Sequence, residues 1–268
     1  MDAMQPLEKF TKDARRRIKA VLCDIDDTLT TGGRLTAEAY AALEQLQGAG
    51  FLVFPITGRP AGWCDHIARM WPVDGVVGEN GAFYFSYDHD ACVFTKSFQM
   101  PDEERAENRS RLEAIRDEIL SSVPGTAVAS DQHYREADLA IDYREDVERL
   151  SEQDIGRIVE IFENAGAVAT VSSIHVNGWF GDYDKLTMTG RMLDECFGIG
   201  LEAEKDRLVF VGDSPNDAPM FGFFLHSVGV ANVREFASRL SSKPAYVTKA
   251  AGGAGFAEFA RALCAARG

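Results

Sequence analysis

The chain has 268 residues, 46% of them apolar and 26% charged, the profile of a soluble globular protein with one large or two moderate domains. The net charge of −14 argues against a nucleic-acid-binding protein, and no run approaches the roughly 18 apolar residues that span a membrane. Residues 1–19 are predicted to form an amphipathic helix and lack the apolar core of a signal peptide. Since the five cysteines are also unpatterned, we expect a cytoplasmic protein with reduced thiols.

The stretch from Val21 to Thr30 joins a short apolar strand to a group of carboxylates. Asp24 and Asp26 lie two residues apart, so an extended backbone turns both side chains to the same side. Because two such carboxylates repel each other, the pair indicates a cation between them, and oxygen ligands alone favour Mg²⁺. A carboxylate beside a bound metal is a candidate nucleophile. The alternative is an Asp-rich turn at the end of a strand.

A helix and a second strand follow this stretch. Thr36 is the predicted N-cap of a helix over residues 36–47. The nearly continuous apolar run 51–57 predicts a strand that is buried on both faces. It leads into the turn TGRP (57–60), where a helix N-terminus is expected to offer free backbone N–H groups, and Thr57 a hydroxyl, to an anion.

The sequence changes in character between residues 85 and 180. The patterns there predict a hairpin around Asp88, then in order a helix over 102–121, two strands within 126–143, a helix after Ser151 and a strand over 168–176. We therefore predict an α+β unit, residues 85–180, inserted into a core that consists of residues 1–84 and 181–268.

The last part of the chain returns to alternating strands and helices. A helix begins near Lys185, and an apolar strand over 208–211 runs into GDSPND (212–217), which repeats the earlier apolar-then-acidic pattern. Two short strands and a final helix close the chain. This alternation predicts an α/β fold with a doubly wound parallel sheet, whose ligands bind at the carboxyl ends of strands. Asp24, Thr57 and the first aspartate of GDSPND all lie at such ends.

Four separated pieces resemble, in this order, the motifs of the haloacid dehalogenase superfamily of phosphohydrolases: DIDDTLT (24–30), TGR (57–59), Lys185 and GDSPND (212–217). The long insertion, with GENGAF (78–83) before it, is similar to the Cof-type branch, subclass IIB, which includes sucrose-, trehalose- and mannosylglycerate-phosphate phosphatases. The resemblance implies a Rossmann-like core with an inserted cap. Two departures are Asp27 and Leu186, which stand where this family often has Gly.

By matching position, the resemblance implies a role for each motif residue. Asp24 is the nucleophile that forms an aspartyl-phosphate and also binds Mg²⁺. Asp26 protonates the leaving alcohol, then activates water, and offers its backbone carbonyl to the metal. Lys185 neutralises both the phosphate and the nucleophile. Asp213 binds the metal, and Asp217 binds either the metal or its water molecules. Phosphate oxygens are bound by Thr57, the Gly58 N–H and Asn216. Arg59 contacts either the phosphate or an acidic neighbour.

The inserted unit is expected to choose the substrate by covering the site, with a lid hinged at residues 83–86 and 180–184. His175, Asn177 and Trp179 either contact the leaving group or are structural, and the structural interpretation is favoured. The predicted function is Mg²⁺-dependent hydrolysis of a small-molecule phosphate ester, a sugar phosphate or glycosylglycerate phosphate. The alternatives are a sugar phosphomutase of the same branch and a non-catalytic module that binds a phosphate ligand.

Overall fold

Strands and helices alternate through most of the computed structural model, which describes residues 4–268. The strands are β1 (Gln5–Pro6), β2 (Ala20–Cys23), β3 (Thr30–Thr31), β4 (Arg34–Leu35), β5 (Leu52–Pro55), β6 (Val76–Gly78), β7 (Phe83–Asp88), β8 (Val93–Phe98), β9 (Ala127–Val128), β10 (Leu139–Asp142), β11 (Val168–Val171), β12 (His175–Trp179), β13 (Leu208–Gly212), β14 (His226–Gly229) and β15 (Tyr246–Val247). The α-helices are α1 (Lys12–Arg17), α2 (Ala37–Gly48), α3 (Ala61–Met70), α4 (Asp102–Ser122), α5 (Glu152–Asn164), α6 (Lys185–Phe197), α7 (Ala218–Phe223) and α8 (Gly252–Arg267). Within the described residues, no helix has both the length and the apolar character needed to cross a membrane.

Six of the strands form one parallel sheet in the order β1-β15-β14-β13-β2-β5. At its centre, Val21 of β2 is in register with Val209 of β13 on one side and with Val53 of β5 on the other. Parallel neighbours need crossover connections, which helices supply for most pairs here. The predicted α/β fold with a parallel sheet is confirmed, and the carboxyl ends of β2, β5 and β13 meet at one edge.

Apolar side chains cover both faces of this sheet. Val21 and Val209 belong to a cluster that includes residues of α1, α2, α3 and α8, whereas Leu22 and Phe210 belong to a second cluster with α6 and α7. Successive strand residues point to opposite faces, so each central strand contributes to both clusters. Full burial of such side chains stabilises the fold by about 1.5–3 kcal/mol each. The two clusters therefore fix the strand ends that carry the acidic residues.

A second, antiparallel sheet has the order β11-β12-β10-β9 and packs with α4 and α5 around its own apolar cluster. The hairpin β7–β8 is different, because it continues β6 and places Phe83 and Phe85 in the cluster of the main sheet. The predicted start of the inserted unit at residue 85 therefore falls inside β7. We propose that the inserted unit comprises residues 101–180 and that the hairpin is part of the core.

The amino-terminal segment differs from the single helix that was predicted for residues 1–19. Residues 1–3 lie outside the described part of the chain, and the next residues form β1, which pairs with β15 at the edge of the main sheet. Pro6 has no N–H to donate within a helix or a sheet interior, and an edge strand tolerates it. The helix α1 begins only after Thr11, whose hydroxyl accepts the Ala14 N–H at 3.3 Å.

Two further predictions are wrong in detail. The single strand predicted over residues 168–176 is instead the hairpin β11–β12, because the chain turns at Ser172. The Ser172 N–H donates to the His175 carbonyl at 2.9 Å, and the Ser172 hydroxyl accepts the His175 N–H at 3.0 Å. The predicted hinge at residues 83–86 lies within the regular strand β7. The first connection between the units is instead the short segment between β8 and α4.

Candidate active site

The ends of three parallel strands bring acidic and hydroxyl side chains together at one edge of the main sheet. Asp24 follows β2, and its N–H donates to the carbonyl of Val211 on β13 at 2.9 Å. Asp213 follows β13 directly, and Thr57 follows β5, with its N–H donating to the Val77 carbonyl at 2.9 Å. Because these strands are in register, residues far apart in sequence become neighbours here.

Three buried carboxylates form a cluster at this edge. Asp24, Asp213 and Asp217 each offer an oxygen atom, and these atoms all lie within 4.8 Å of one another. Lys185, the first residue of α6, donates from Nζ to Asp24 Oδ1 at 2.7 Å and to Asp217 Oδ1 at 2.9 Å. One ammonium group does not balance three carboxylates, and oxygen donors alone suit a hard divalent cation. The residues present therefore fit a divalent metal.

Burial controls the protonation of this cluster. Burial, with smaller contributions from the carboxylates of Asp217 and Asp26, raises the pKa of Asp24 to about 8 despite the opposing charge of Lys185. Burial, then Asp217 and Asp24, also raise the pKa of Asp213 well above its usual range. Burial alone would lower the pKa of Lys185, but the two neighbouring carboxylates outweigh it and raise that pKa. A metal that binds here would therefore displace protons.

Two neutral side chains that the sequence analysis missed hold Asp213 in place. Thr28 Oγ1 donates to Asp213 Oδ1 at 3.2 Å, and Asn232 Nδ2 donates to Asp213 Oδ2 at 3.0 Å. Asp217 is fixed differently, because its Oδ2 accepts the backbone N–H of Asp213 at 3.0 Å. Both missed residues carried a signal, since Thr28 lies within DIDDTLT and Asn232 follows the end of a parallel strand.

A small cavity of about 10 Å³ lies over this edge and is lined by residues of both units, among them Asp24, Asp26, Gly58, Arg59, Asn216 and Ser173. Thr57 is buried beside it, and its hydroxyl oxygen accepts the Arg59 N–H at 3.1 Å, which leaves the hydroxyl proton to donate elsewhere. Asn216 Oδ1 accepts from the Ser214 hydroxyl at 2.6 Å, which leaves its amide N–H groups as donors. This volume is about what a single water molecule requires, so the inserted unit closes the site in this structure.

Arg59 pairs with acidic side chains, which is one of the two alternatives that the sequence left open. Its Nε and Nη2 donate to both oxygens of Asp26 at 2.8–3.0 Å. Nη2 also donates to Glu145 at 2.8 Å and Nη1 to Asp131 at 3.4 Å, both in the inserted unit. The guanidinium carbon lies 4.4 Å from the ring centroid of Trp63. Arg59 therefore connects the side chain of Asp26 to the inserted unit.

A buried carboxylate, Glu79, forms a second junction between the units. It accepts the N–H of Ala61, at the start of α3, at 2.9 Å and the backbone N–H groups of residues 136–138 at 2.6–3.2 Å. Burial, together with the nearby charge of Asp138, raises the pKa of Glu79 to about 8. The expectation that this helix start offers only free N–H groups to an anion is therefore wrong for Ala61, whose N–H is already bound.

Gly62 of α3 lies directly against the inserted unit and gives a test of this closed packing. A Cβ atom at Gly62 would come within 2.9 Å of Cβ and Cδ1 of Tyr134. We expect Gly62→Ala to displace the segment around Tyr134 and to lower the free energy of unfolding by about 1–3 kcal/mol, the usual cost of overpacking. Denaturant titration followed by circular dichroism measures this change.

The matched control is Gly156→Ala within α5, where an added Cβ has no neighbour within 4 Å. Because alanine is a better helix former than glycine, this variant should be more stable than the wild type by about 0.5–1 kcal/mol. A Gly62→Ala protein as stable as the Gly156→Ala protein would show that the two units do not pack closely at α3.

The turn between β11 and β12 brings polar residues over the site. His175 and Asn177 line the same small cavity as Asp24. His175 Nε2 lies 2.9 Å from a carboxylate oxygen of Glu145, outside hydrogen-bonding geometry, and Asn177 Nδ2 donates to Asp138 at 2.9 Å. Both residues therefore line the site, and of the two only Asn177 is held there by a hydrogen bond to a carboxylate of the inserted unit.

Known proteins resemble this chain in part of its sequence and in its fold. Residues 21–107 match the family model of haloacid dehalogenase-like hydrolases. The chain is similar in structure to Thermoplasma acidophilum 0175 (17% identity, TM-score 0.69, covering 92% of this chain and 98% of that one). It is also similar to a HAD/COF-like hydrolase from Plasmodium vivax (18% identity, TM-score 0.66, 94% and 98%). A third similar structure is the sucrose-phosphatase of Synechocystis sp. PCC6803 (16% identity, TM-score 0.62, 91% and 97%).

No curated protein matches the chain. At these sequence identities the structural likeness shows the fold, and the family match covers the first two of the four motifs. The resemblance to haloacid dehalogenase-like hydrolases is confirmed over residues 21–107, and the likeness to the HAD/COF-like structure is one of fold.

Proposed function

We propose that this protein hydrolyses a small-molecule phosphate monoester and uses Mg²⁺ to do so. The observation that carries the proposal is the cluster of Asp24, Asp213 and Asp217 around Lys185, next to a cavity that Gly58 and Asn216 also line. The similarity to a sucrose-phosphatase supports a sugar phosphate or glycosylglycerate phosphate as the substrate.

In the proposed reaction, Asp24 attacks phosphorus through a carboxylate oxygen while the ester P–O bond breaks. Asp26 gives its proton to the departing alcohol oxygen and then takes one from the water that hydrolyses the aspartyl-phosphate. Lys185, which already binds Asp24 Oδ1, stabilises the charge that develops on the phosphate oxygens.

Three carboxylates, those of Asp24, Asp213 and Asp217, would hold the Mg²⁺ ion, together with the backbone carbonyl of Asp26. When bound, the ion offsets the negative charge of the phosphate and of these carboxylates. The hydroxyl of Thr57, the Gly58 N–H and the amide of Asn216 are assigned to the phosphate oxygens, since Gly58 and Asn216 line the cavity and Thr57 is buried beside it.

In the closed arrangement both oxygens of Asp26 accept hydrogen bonds from Arg59, so neither is free to contact the leaving alcohol or a water molecule. The cavity of about 10 Å³ is also too small for a phosphate ester. We therefore propose that the inserted unit moves when the substrate binds and that Asp26 separates from Arg59 in the same step.

Removal of the metal tests the proposed function. Protein treated with EDTA should release no phosphate from mannose 6-phosphate or p-nitrophenyl phosphate, and Mg²⁺ should restore release. Because the ion binds the folded protein, Mg²⁺ at about 100 times its Kd should stabilise the fold by about 2.7 kcal/mol. Phosphate release that persists without metal would contradict the proposal. Transfer of labelled phosphate to a second position of the sugar, instead of to water, would identify a phosphomutase.

A further inference from the structure

A second cavity, of about 290 Å³, lies beside Lys185. Core residues Asn80, Lys185 and Asn216 line one side of it, and β11 of the inserted unit contributes to the other. Trp179 and Tyr183, from the end of β12 and the segment that returns to the core, complete its wall. Asn216 also lines the small cavity over Asp24, so the two spaces are adjacent.

Three residues around this cavity carry buried polar atoms without a hydrogen-bond partner among residues 4–268. These atoms are Nδ2 and Oδ1 of Asn80, Nε1 of Trp179 and the hydroxyl of Tyr183. The residues are only 3%, 4% and 6% exposed, and the rings of Trp179 and Tyr183 stack with centroids 5.7 Å apart. Folded proteins pair nearly all buried polar groups, so these three lining residues have hydrogen-bonding capacity that the protein itself leaves unused.

The backbone at Asn80 supplies an independent observation. Asn80 has a φ of 55°, in the left-handed region that favours glycine, and Glu79 before it has a φ of 43°. A Cβ on Gly58 would come within 3.1 Å of Asn80 Nδ2 and 3.2 Å of its Oδ1, so the carboxamide is packed against a residue assigned to the phosphate. Unusual backbone conformations of this kind concentrate at ligand-binding sites.

The chemistry of the wall selects a neutral, hydroxylated ligand. A carboxamide, an indole N–H and a phenol offer both donors and acceptors but no charge. Lys185 is already paired with Asp24 and Asp217, and the remaining charged groups of the wall, Asp182 and Asp184, would repel an anion. Hydroxyl groups, which both donate and accept, match this set of atoms.

We propose that Asn80, Trp179 and Tyr183 form a subsite that binds hydroxyl groups of the leaving alcohol. This inference rests on the proposed phosphatase activity and adds the residues that recognise the alcohol. A different cavity, of about 260 Å³, is lined by Asp26, Asp27 and Glu145 as well as by Arg144, which is the group there that would bind a carboxylate on the leaving alcohol. The two arrangements predict different substrates and different sensitive residues.

The test compares kcat/KM for mannose 6-phosphate, which has hydroxyl groups on the leaving alcohol, with kcat/KM for p-nitrophenyl phosphate, which has none. Trp179→Phe and Tyr183→Phe remove the unpaired polar atom and keep most of the ring. Each should lower the ratio of the two kcat/KM values about tenfold, the effect of one lost hydrogen bond between neutral groups. Asn80→Ala should lower it further, because it removes a donor and an acceptor.

The matched control is Tyr40→Phe, which removes a phenol hydroxyl that donates to the exposed Met70 carbonyl and does not line this cavity. It should leave the ratio unchanged. Circular dichroism establishes that each variant is folded, and the two near-isosteric variants decide the result if Asn80→Ala does not fold. An unchanged ratio in folded Trp179→Phe and Tyr183→Phe proteins would overturn the subsite.

Three outcomes separate the failure of the subsite from the failure of the proposed function. Faster turnover of 3-phosphoglycerate than of mannose 6-phosphate, with a preference that Arg144→Gln removes, would assign the leaving group to the other cavity. Hydrolysis of p-nitrophenyl phosphate without any response of the ratio would refute the subsite and leave the proposed function standing. Failure of the wild type to hydrolyse any phosphate ester with Mg²⁺ would remove both proposals together.

Discussion

Asp24→Asn is expected to reduce phosphate release by at least about 10⁴-fold, because an amide oxygen cannot replace a carboxylate as the attacking nucleophile. The fold should survive, since Lys185 keeps its bond to Asp217 and one of three mutually repelling carboxylates is neutralised. Release of inorganic phosphate from mannose 6-phosphate under saturating Mg²⁺ measures the loss, and a thermal melt of the same preparation establishes that the variant is folded.

A control for this substitution is Asp13→Asn on α1, which makes the same chemical change at an exposed aspartate whose nearest cation, Arg16, lies 3.9 Å away. Its turnover should equal that of the wild type. If the Asp24→Asn protein retained more than about a tenth of the wild-type activity, the reaction would not need a carboxylate at this position, and Asp24 would be excluded as the nucleophile.

Lys185→Met is expected to lower the free energy of unfolding by about 3–5 kcal/mol in metal-free buffer, because it leaves buried carboxylates without their cation. Asp24 and Asp217 both lose a charged hydrogen bond, and Asp213 lies within the same cluster. Turnover should also fall by about 10²–10³-fold, as for the loss of a group that stabilises transition-state charge. Urea denaturation and steady-state kinetics measure the two effects separately.

The stability of the Lys185→Met protein should partly recover when Mg²⁺ is added, and by more than the wild type gains, because the ion would then be the only cation in the cluster. Lys205→Met is the control, since Lys205 pairs with Glu202 at 2.9 Å on the surface, where the two side chains are 37% and 73% exposed. Such a pair contributes at most about 1 kcal/mol. Equal losses in the two variants would mean that Lys185 does not offset the carboxylates.

The central sheet and the acidic cluster could be predicted because both depend on local patterns. Short apolar runs followed by aspartates identify β2 and β13, and register in a parallel sheet then places Asp24 and Asp213 side by side. Thr28 could have been found in the same way, since it belongs to the first motif and its hydroxyl reaches Asp213.

Contacts between the two units could not be predicted, because no local pattern encodes them. Arg59 and Glu145 are 86 positions apart in the sequence, and their pairing depends on how the inserted sheet packs on the core. The contacts of Glu79 could not be predicted either, because its partners at residues 136–138 are backbone N–H groups, which nearly every residue has. The prediction of hairpin boundaries was also wrong where serine, instead of glycine or proline, forms the turn, as at Ser172.

One departure from the family pattern has a structural explanation. Asp27 stands where the superfamily that the sequence resembles often has glycine, and its φ of 57° lies in the left-handed region that glycine enters most easily. Aspartate is among the few other residues that tolerate this conformation. Its N–H donates to the Thr30 hydroxyl at 2.9 Å, which helps to hold the turn.

The guanidinium of Arg59 ties two events of the proposed cycle to each other. While Arg59 donates to both oxygens of Asp26 and to Glu145 of the inserted unit, Asp26 is free neither to activate water nor to protonate the leaving alcohol. The aspartyl-phosphate at Asp24 would therefore be hydrolysed only after the inserted unit moves away from the core. The lifetime of this intermediate would follow the rate of that movement instead of the intrinsic reactivity of the acyl phosphate.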